Sequence, residues 1–220
     1  MEPTGESVRI YELDKYNYPQ FRDKLIELYL HAFTTGDYGQ CITRGKVEAT
    51  LDELLRDGYG WMAFAADCLM GLVVTLPLEK DPGFPAGMCP TIPVEQSVYI
   101  AEVMVHADYR GRGIASEMLE SCLRNEAKNH LYAVIRVWEK NKPALELYRK
   151  LGFLPIAGIV QKKLGMDGEE FEMKKLYLAK EWKGVGLGER EKGRKGDWEK
   201  GRKGENFEKN SNESINYQNN

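Results

Sequence analysis

The sequence predicts an α/β fold whose central sheet is of mixed direction. Two observations carry this reading. Two apolar, β-rich runs, Trp61–Ala66 and Leu69–Leu78, are joined through Asp67-Cys68 in the manner of a hairpin. Further on, a strand pattern at Val98–Val105, a helical pattern at Ile114–Lys128 and a strand pattern at Leu131–Trp138 form a strand–helix–strand crossover. Hairpins make antiparallel neighbours and crossovers make parallel ones, so one sheet built from both is mixed.

The other elements follow the same periodicities. Val8–Leu13 reads as a short strand. Tyr18–Phe33 is helical, with Phe21, Leu25, Leu28, Tyr29 and Ala32 at helical spacing. Val47–Arg56 repeats the helical pattern until Asp57-Gly58 ends it. Glu79–Gln96, rich in proline and carrying Gly83 and Gly87, is a long loop, either a binding lid or a plain excursion. In the crossover helix Ile114, Met118, Leu119, Cys122 and Leu123 share one face. Pro143–Leu151 is a short helix closed by Gly152, and strands around Phe153–Leu164 and Phe171–Leu178 finish the domain.

From Glu181 onward the composition changes. Gly, Lys, Arg and Glu alternate, and the eight residues from Glu191 (EKGRKGDW) nearly recur from Glu199 (EKGRKGEN). Such a stretch buries too little apolar surface to offset its conformational entropy, so residues 1–180 read as one domain and 181–220 as a disordered charged tail. The tail holds 9 Lys and Arg against 8 Asp and Glu, a near balance that favours a solvated extension over a nucleic-acid or partner arm.

Several function classes are disfavoured at this level. A net charge of −3 provides no global attraction for nucleic acid, so no nucleic-acid partner is expected. No signal-peptide pattern opens the chain, and no apolar run approaches the roughly 20 residues of a membrane span. A cytoplasmic location without membrane association is the expectation. Cys41, Cys68, Cys89 and Cys122 form no CxxC pair. His31, His106 and His130 lie far apart in sequence, and a metal site would need unrelated carboxylates to converge on them, so no metal is expected.

Chemistry enters where the strand Val98–Val105 turns into the crossover helix, through Arg110-Gly111-Arg112-Gly113-Ile114-Ala115-Ser116. Two glycines ahead of a helix let the backbone approach a phosphate, and the free amides and positive end of the helix attract the anion. Arg110 and Arg112 add charge at the rim. A dinucleotide fingerprint fits poorly, because Ser116 replaces the third glycine and Val134–Val137 supplies no acid. The residues do not fit a Walker loop, and a tight turn that binds nothing stays open.

The segment VYIAEVMVHADYRGRGIASEMLESCL closely resembles the acetyl-CoA motif of the GNAT superfamily of N-acetyltransferases. That motif's turn, [QR]-x-x-G-x-[GA], is met by Arg110, Gly113 and Ala115. VWEKNKPALELYRKLGF resembles the family's later strand–helix segment, with Asn141, Ala144, Tyr148, Gly152 and Phe153 in place. The resemblance extends more loosely over residues 8–179 and implies a GNAT-type sheet, mixed and mostly antiparallel, flanked by helices.

The resemblance further implies acetyl-CoA as co-substrate. Its pantetheine arm would run beside the strand and bond the backbone at Val103 and Val105 around Met104, with the pyrophosphate on the amides of Gly111 to Ser116. Asn141, Ala144 and Tyr148, spaced i, i+3, i+7, would meet the cofactor on one face. Tyr148 would protonate the departing thiolate, a packing role being its alternative. Glu102 is the candidate base, although the family often places this acid one residue earlier, where the chain has Ala101; strict alternation turns Glu102 to the other face unless a bulge intervenes. Members that take their base from the later strand have it where this chain has Arg136, with Glu139 a distant substitute.

Tyr29, Phe33, Tyr38, Trp61, Tyr99 and Trp138 are aromatic candidates for walls of the acceptor pocket, or simply core. The implied activity is transfer of acetyl to a primary amine of a small molecule or protein by direct attack, since no Cys or Ser stands beside a His as a nucleophile. A non-catalytic acetyl-CoA sensor or scaffold is the alternative, transfer of a longer acyl group or onto oxygen a weaker one, and a homodimer is left open.

Overall fold

The computed structural model describes residues 8–35, 41–164 and 169–182. The elements run β1 (Arg9–Leu13), α1 (Tyr18–Thr34), α2 (Arg44–Asp57), β2 (Tyr59–Ala65), β3 (Cys68–Pro77), β4 (Ser97–Val105), α3 (Ile114–Glu126), β5 (Tyr132–Trp138), α4 (Lys142–Lys150), β6 (Leu154–Leu164) and β7 (Glu170–Glu181). The seven strands form one sheet in the order β1-β2-β3-β4-β5-β7-β6. All neighbours are antiparallel except β4 and β5, which the α3 crossover makes parallel. The mixed α/β sheet expected from the sequence is therefore observed, and it is mostly antiparallel.

Both faces are covered. On one, α3 and α4 pack Ile114, Met118, Leu119, Cys122, Tyr148 and Phe153 against Val98, Ile100, Ala133 and Ile135. On the other, α1 and α2 bring Leu25, Ile26, Tyr29, Leu51 and Leu55 onto Met62, Leu72, Val74 and Met104. Burying branched chains at this density supplies most of the driving force, about 1.5–3 kcal/mol for each large side chain. No helix among the described residues is long and apolar enough to cross a membrane.

The segment from Leu78 to Gln96 differs from a plain excursion. It contains three single 3-10 turns, and its Leu78, Cys89 and Ile92 are buried with Tyr99, Val134 and Tyr177. It thus serves as a covering layer for the β4–β5–β7 part of the α1/α2 face, beside Leu54 of α2. Its fixed point is Asp81, whose carboxylate accepts the Tyr177 hydroxyl at 2.7 Å and lies 3.5 Å from the Arg136 guanidinium.

The domain also ends later than the composition implied. Glu181 pairs with Tyr132 as the last residue of β7, and the Trp182 amide donates to the Leu131 carbonyl at 2.9 Å. The composition change at Glu181 is real, but Glu181 is ladder-paired and Trp182 packs on the core. The rest of the expected tail lies outside the described residues, as does Tyr38.

Candidate active site

β4 and β5 pair only from Ser97–Tyr132 to Ile100–Ile135 and then separate. From Glu102 to Val105, β4 is bonded to β3 on one side and has no β5 partner on the other. Parallel strands parted in this way leave backbone donors and acceptors facing the gap, where an extended ligand can add like a strand. Glu102 stands on one lip and Arg136, one residue past the last paired position of β5, on the other.

The orientation of Glu102 is set by a β-bulge. Val74 pairs with Glu102 and Thr75 with Ile100, which leaves Ala101 as an extra residue in β4. An extra residue resets the two-residue alternation of side chains. Val98, Ile100, Val103 and Val105 consequently pack toward α3, whereas Ala101 packs with Tyr99 on the opposite face, and Met104 toward α1 and α2. Glu102 joins that second set: its Oε1 accepts the Tyr29 hydroxyl of α1 at 3.2 Å. Burial, and then the negative charge of Glu102, raise the Tyr29 phenol above its ordinary value.

Tyr148 lies on the other face of the sheet. It is buried in the α3/α4 core with its ring edge-on to Phe153 at 6.1 Å. Its phenol is pushed up chiefly by burial and further by the charge of Glu102, so the acid on β4 and the phenol on α4 are electrostatic neighbours. A phenol held above its usual value near 10 keeps its proton throughout the neutral range, as a proton donor must.

The turn after β4 has the backbone of an anion cradle. Gly111 at φ 75° and Gly113 at φ 83° are left-handed, a region that costs other residues about 1–2 kcal/mol. A Cβ at either position would meet nothing within 4 Å, so the space in front of both is open. Gly113 is the N-cap of α3 and brings no side chain to it, leaving the first amides of the helix to an external acceptor. Ile114, 2% exposed, anchors the helix start on the sheet, Ala115 and Ser116 complete its first turn, and the Ser116 hydroxyl donates to Glu120 at 3.2 Å.

Other expected site residues take up different contacts. Arg110 donates from Nε to the Val105 carbonyl at 3.2 Å and from Nη2 to the Ala32 carbonyl at 3.3 Å, binding the end of β4 to α1. Arg112 is exposed, its guanidinium 5.4 Å from the centre of the Tyr109 ring. Asn141 is the N-cap of α4 and its side-chain oxygen accepts the Ala144 amide at 3.3 Å, so it lies at the helix entry rather than on a helical face with Tyr148.

The aromatic candidates are divided by the sheet. The Tyr29 and Phe33 rings lie 4.6 Å apart on α1, inclined by 36°, and the Tyr29 hydroxyl reaches Glu102. Tyr99 lies under the Arg136 guanidinium, Trp61 belongs to the α3 face, and Trp138 meets Lys140 at 5.7 Å. Glu139 is 3.1 Å from Lys174. An open cleft of about 610 Å³, lined by Trp61, Arg124 and Lys128 among others, lies between β1, β2 and the end of α3 and shares no residue with the gap between β4 and β5. Sequence reasoning did not find the Tyr29–Glu102 bond, nor the Asp81–Tyr177–Arg136 chain; each joins elements remote in sequence without any motif.

The comparisons with known proteins agree with the fold. No curated protein matches the chain. Among solved structures, an N-acetyltransferase from Staphylococcus aureus Mu50 superposes with a TM-score of 0.59 at 15% identity, covering 80% of this chain and 98% of its own. The ribosomal-protein-S18-alanine N-acetyltransferase from Escherichia coli gives 0.57 at 15%, covering 82% and 97%. The yncA protein from Salmonella typhimurium, solved with its cofactor acetyl-CoA, gives 0.58 at 14%, covering 84% and 98%. At these identities the likeness is one of fold. The model of the GNAT acetyltransferase family matches residues 21–153, well over half the chain, and this protein belongs to that family, as an acyltransferase whose acetyl donor is acetyl-CoA.

Proposed function

We propose that the protein transfers acetyl from acetyl-CoA to a primary amine of a small molecule or protein by direct attack. The observation that carries this reading is the bulge at Ala101, which turns Glu102 toward α1 and into the mouth of the gap between β4 and β5, within electrostatic reach of Tyr148. A carboxylate and a phenol within electrostatic reach of one another would provide the two proton transfers that aminolysis of a thioester needs.

In this reading Glu102 takes a proton from the acceptor's ammonium group, directly or through one water, so that the neutral amine attacks the thioester carbonyl, and Tyr148 donates a proton to the departing sulfur. A free alkyl ammonium, with a pKa near 10.4, has no lone pair and must lose a proton before it attacks, and the departing thiolate, whose conjugate acid is near 8.5, must gain one to leave as the thiol. The open edge of β4 from Glu102 to Val105 would hold the pantetheine arm, although the Val105 carbonyl is shared with Arg110. The uncapped start of α3 with Gly111 and Gly113 would hold the pyrophosphate. Tyr29 and Phe33 would wall the acceptor side.

The experiment is thiol release from acetyl-CoA, followed in real time with polyamines, amino acids, aminoglycosides and lysine or N-terminal peptides. Release with one amine class, lost in a Glu102→Gln protein that still binds CoA, supports the reading. Equal rates in wild type and Glu102→Gln remove Glu102 as base, and tight CoA binding without turnover on any amine favours a non-catalytic acetyl-CoA module.

A further inference from the structure

His31 lies in the last turn of α1 and His106 immediately after β4, and the fold brings them face to face. Their ring centroids are 3.8 Å apart with planes inclined by 18°. Asp108, in the 3-10 turn that follows β4, has Oδ2 3.8 Å from His106 Nδ1. One donor atom from each of the three residues lies within 4.8 Å of the other two. The carboxylate that the sequence did not associate with any histidine is thus supplied by the turn itself.

One of these donors is unsatisfied. His31 Nε2 is buried and has no hydrogen-bond partner, an arrangement that costs roughly 1–3 kcal/mol unless something binds the atom. Its ring is packed against a second imidazole, and a carboxylate stands at the rim. Two imidazoles and one carboxylate form a donor set suited to divalent transition metals, whereas magnesium and calcium require oxygen ligands.

We propose that His31, His106 and Asp108 bind a divalent transition metal ion, zinc being the best match to the donors. Three protein ligands leave the fourth tetrahedral position to water. Bonds of about 2.0–2.2 Å require the donors to close in, and the stacked rings must rotate so that both lone pairs meet at one point. His106 at the mouth of a turn and Asp108, with a side chain 78% exposed, can make that movement and give an ion access from solvent.

The site would link α1 to the turn that leads into Arg110. Arg110 already spans the same two segments, and its guanidinium is directed at the carbonyls of Val105 and Ala32. A bound ion would therefore act as a second tie between the helix that carries Tyr29 and the cradle at Gly111 and Gly113. This inference does not depend on the roles assigned to Glu102 or Tyr148.

The test uses the full chain, stripped with a chelator and titrated with zinc chloride. Cys41 and Cys68 are exposed thiols that could compete, so both are replaced by serine. The expected result is one zinc ion per chain, a melting temperature that rises with zinc, and a cobalt(II) spectrum lacking a thiolate charge-transfer band. His106→Gln and Asp108→Ala should each weaken zinc at least about tenfold; Asp108→Ala, at an exposed position, leaves the fold intact. Failure of the double-serine protein to retain zinc, or equally tight zinc in both ligand variants, would overturn the site.

Discussion

The Tyr29 hydroxyl donates to Glu102 Oε1 across 3.2 Å, so the helix α1 and the bulged strand β4 are joined at a single carboxylate. The contact holds the Glu102 carboxylate toward α1. Tyr29→Phe keeps the ring against Phe33 and removes only the hydrogen bond. Under the proposed function kcat should fall severalfold while the affinity for acetyl-CoA is unchanged, which steady-state kinetics and calorimetry separate. Unchanged kcat would mean that Glu102 needs no positioning by Tyr29.

Tyr148→Phe preserves a buried ring and deletes one oxygen. As the donor to sulfur its loss should lower kcat by roughly a hundredfold with CoA binding and melting temperature nearly unaltered. Because burial raises the phenol, any loss of activity due to its ionisation should begin above the ordinary tyrosine value of about 10. An alkaline limb of the wild-type profile that disappears in Tyr148→Phe but lies well below that value would contradict the assignment.

Gly113→Ala tests the cradle. The new Cβ meets no atom within 4 Å, so its cost arises from φ 83° rather than from collision. Unfolding free energy should drop by about 1–2 kcal/mol in denaturant titrations. Weaker acetyl-CoA binding in the folded protein is expected as well under the proposed function, since the left-handed turn at Gly113 positions the first amides of α3.

Asp81→Ala should destabilise the domain by about 3 kcal/mol. The Asp81 side chain is 4% exposed and its loss strands Arg136 and the Tyr177 hydroxyl together. The change should appear as a lower denaturant midpoint with an unchanged slope. A wild-type midpoint would show that the Leu78–Gln96 segment does not depend on this anchor.

On the outer face Asp52 is held below the usual carboxylate range by the Arg22 guanidinium first and the Tyr18 hydroxyl second. A depressed folded pKa stabilises the protein above the unfolded value, about 3.9, and the contribution is lost as pH falls through the folded value. Asp52→Asn should therefore flatten the acid side of the stability curve and leave the difference from wild type constant at neutral pH. Parallel curves from pH 7 to pH 3 would contradict the shift.

The sequence by itself determined what local rules control. Glycines at 111 and 113 before an amphipathic run specify a left-handed turn into a helix wherever they occur, and hairpin and crossover patterns dictate which strands lie antiparallel or parallel. The order of elements and the glycine turn into α3 were legible for that reason. Tertiary structure decided the rest. The face on which Glu102 emerges depends on one extra residue at Ala101, visible only in the pairing with Val74 and Thr75. The Asp81–Tyr177–Arg136 chain, the turn of Arg110 toward Val105 and Ala32, and the meeting of His31 with His106 likewise join residues from remote elements. Such contacts are set by strand register and helix docking, properties of the whole packed chain, and no local pattern of residue types encodes them.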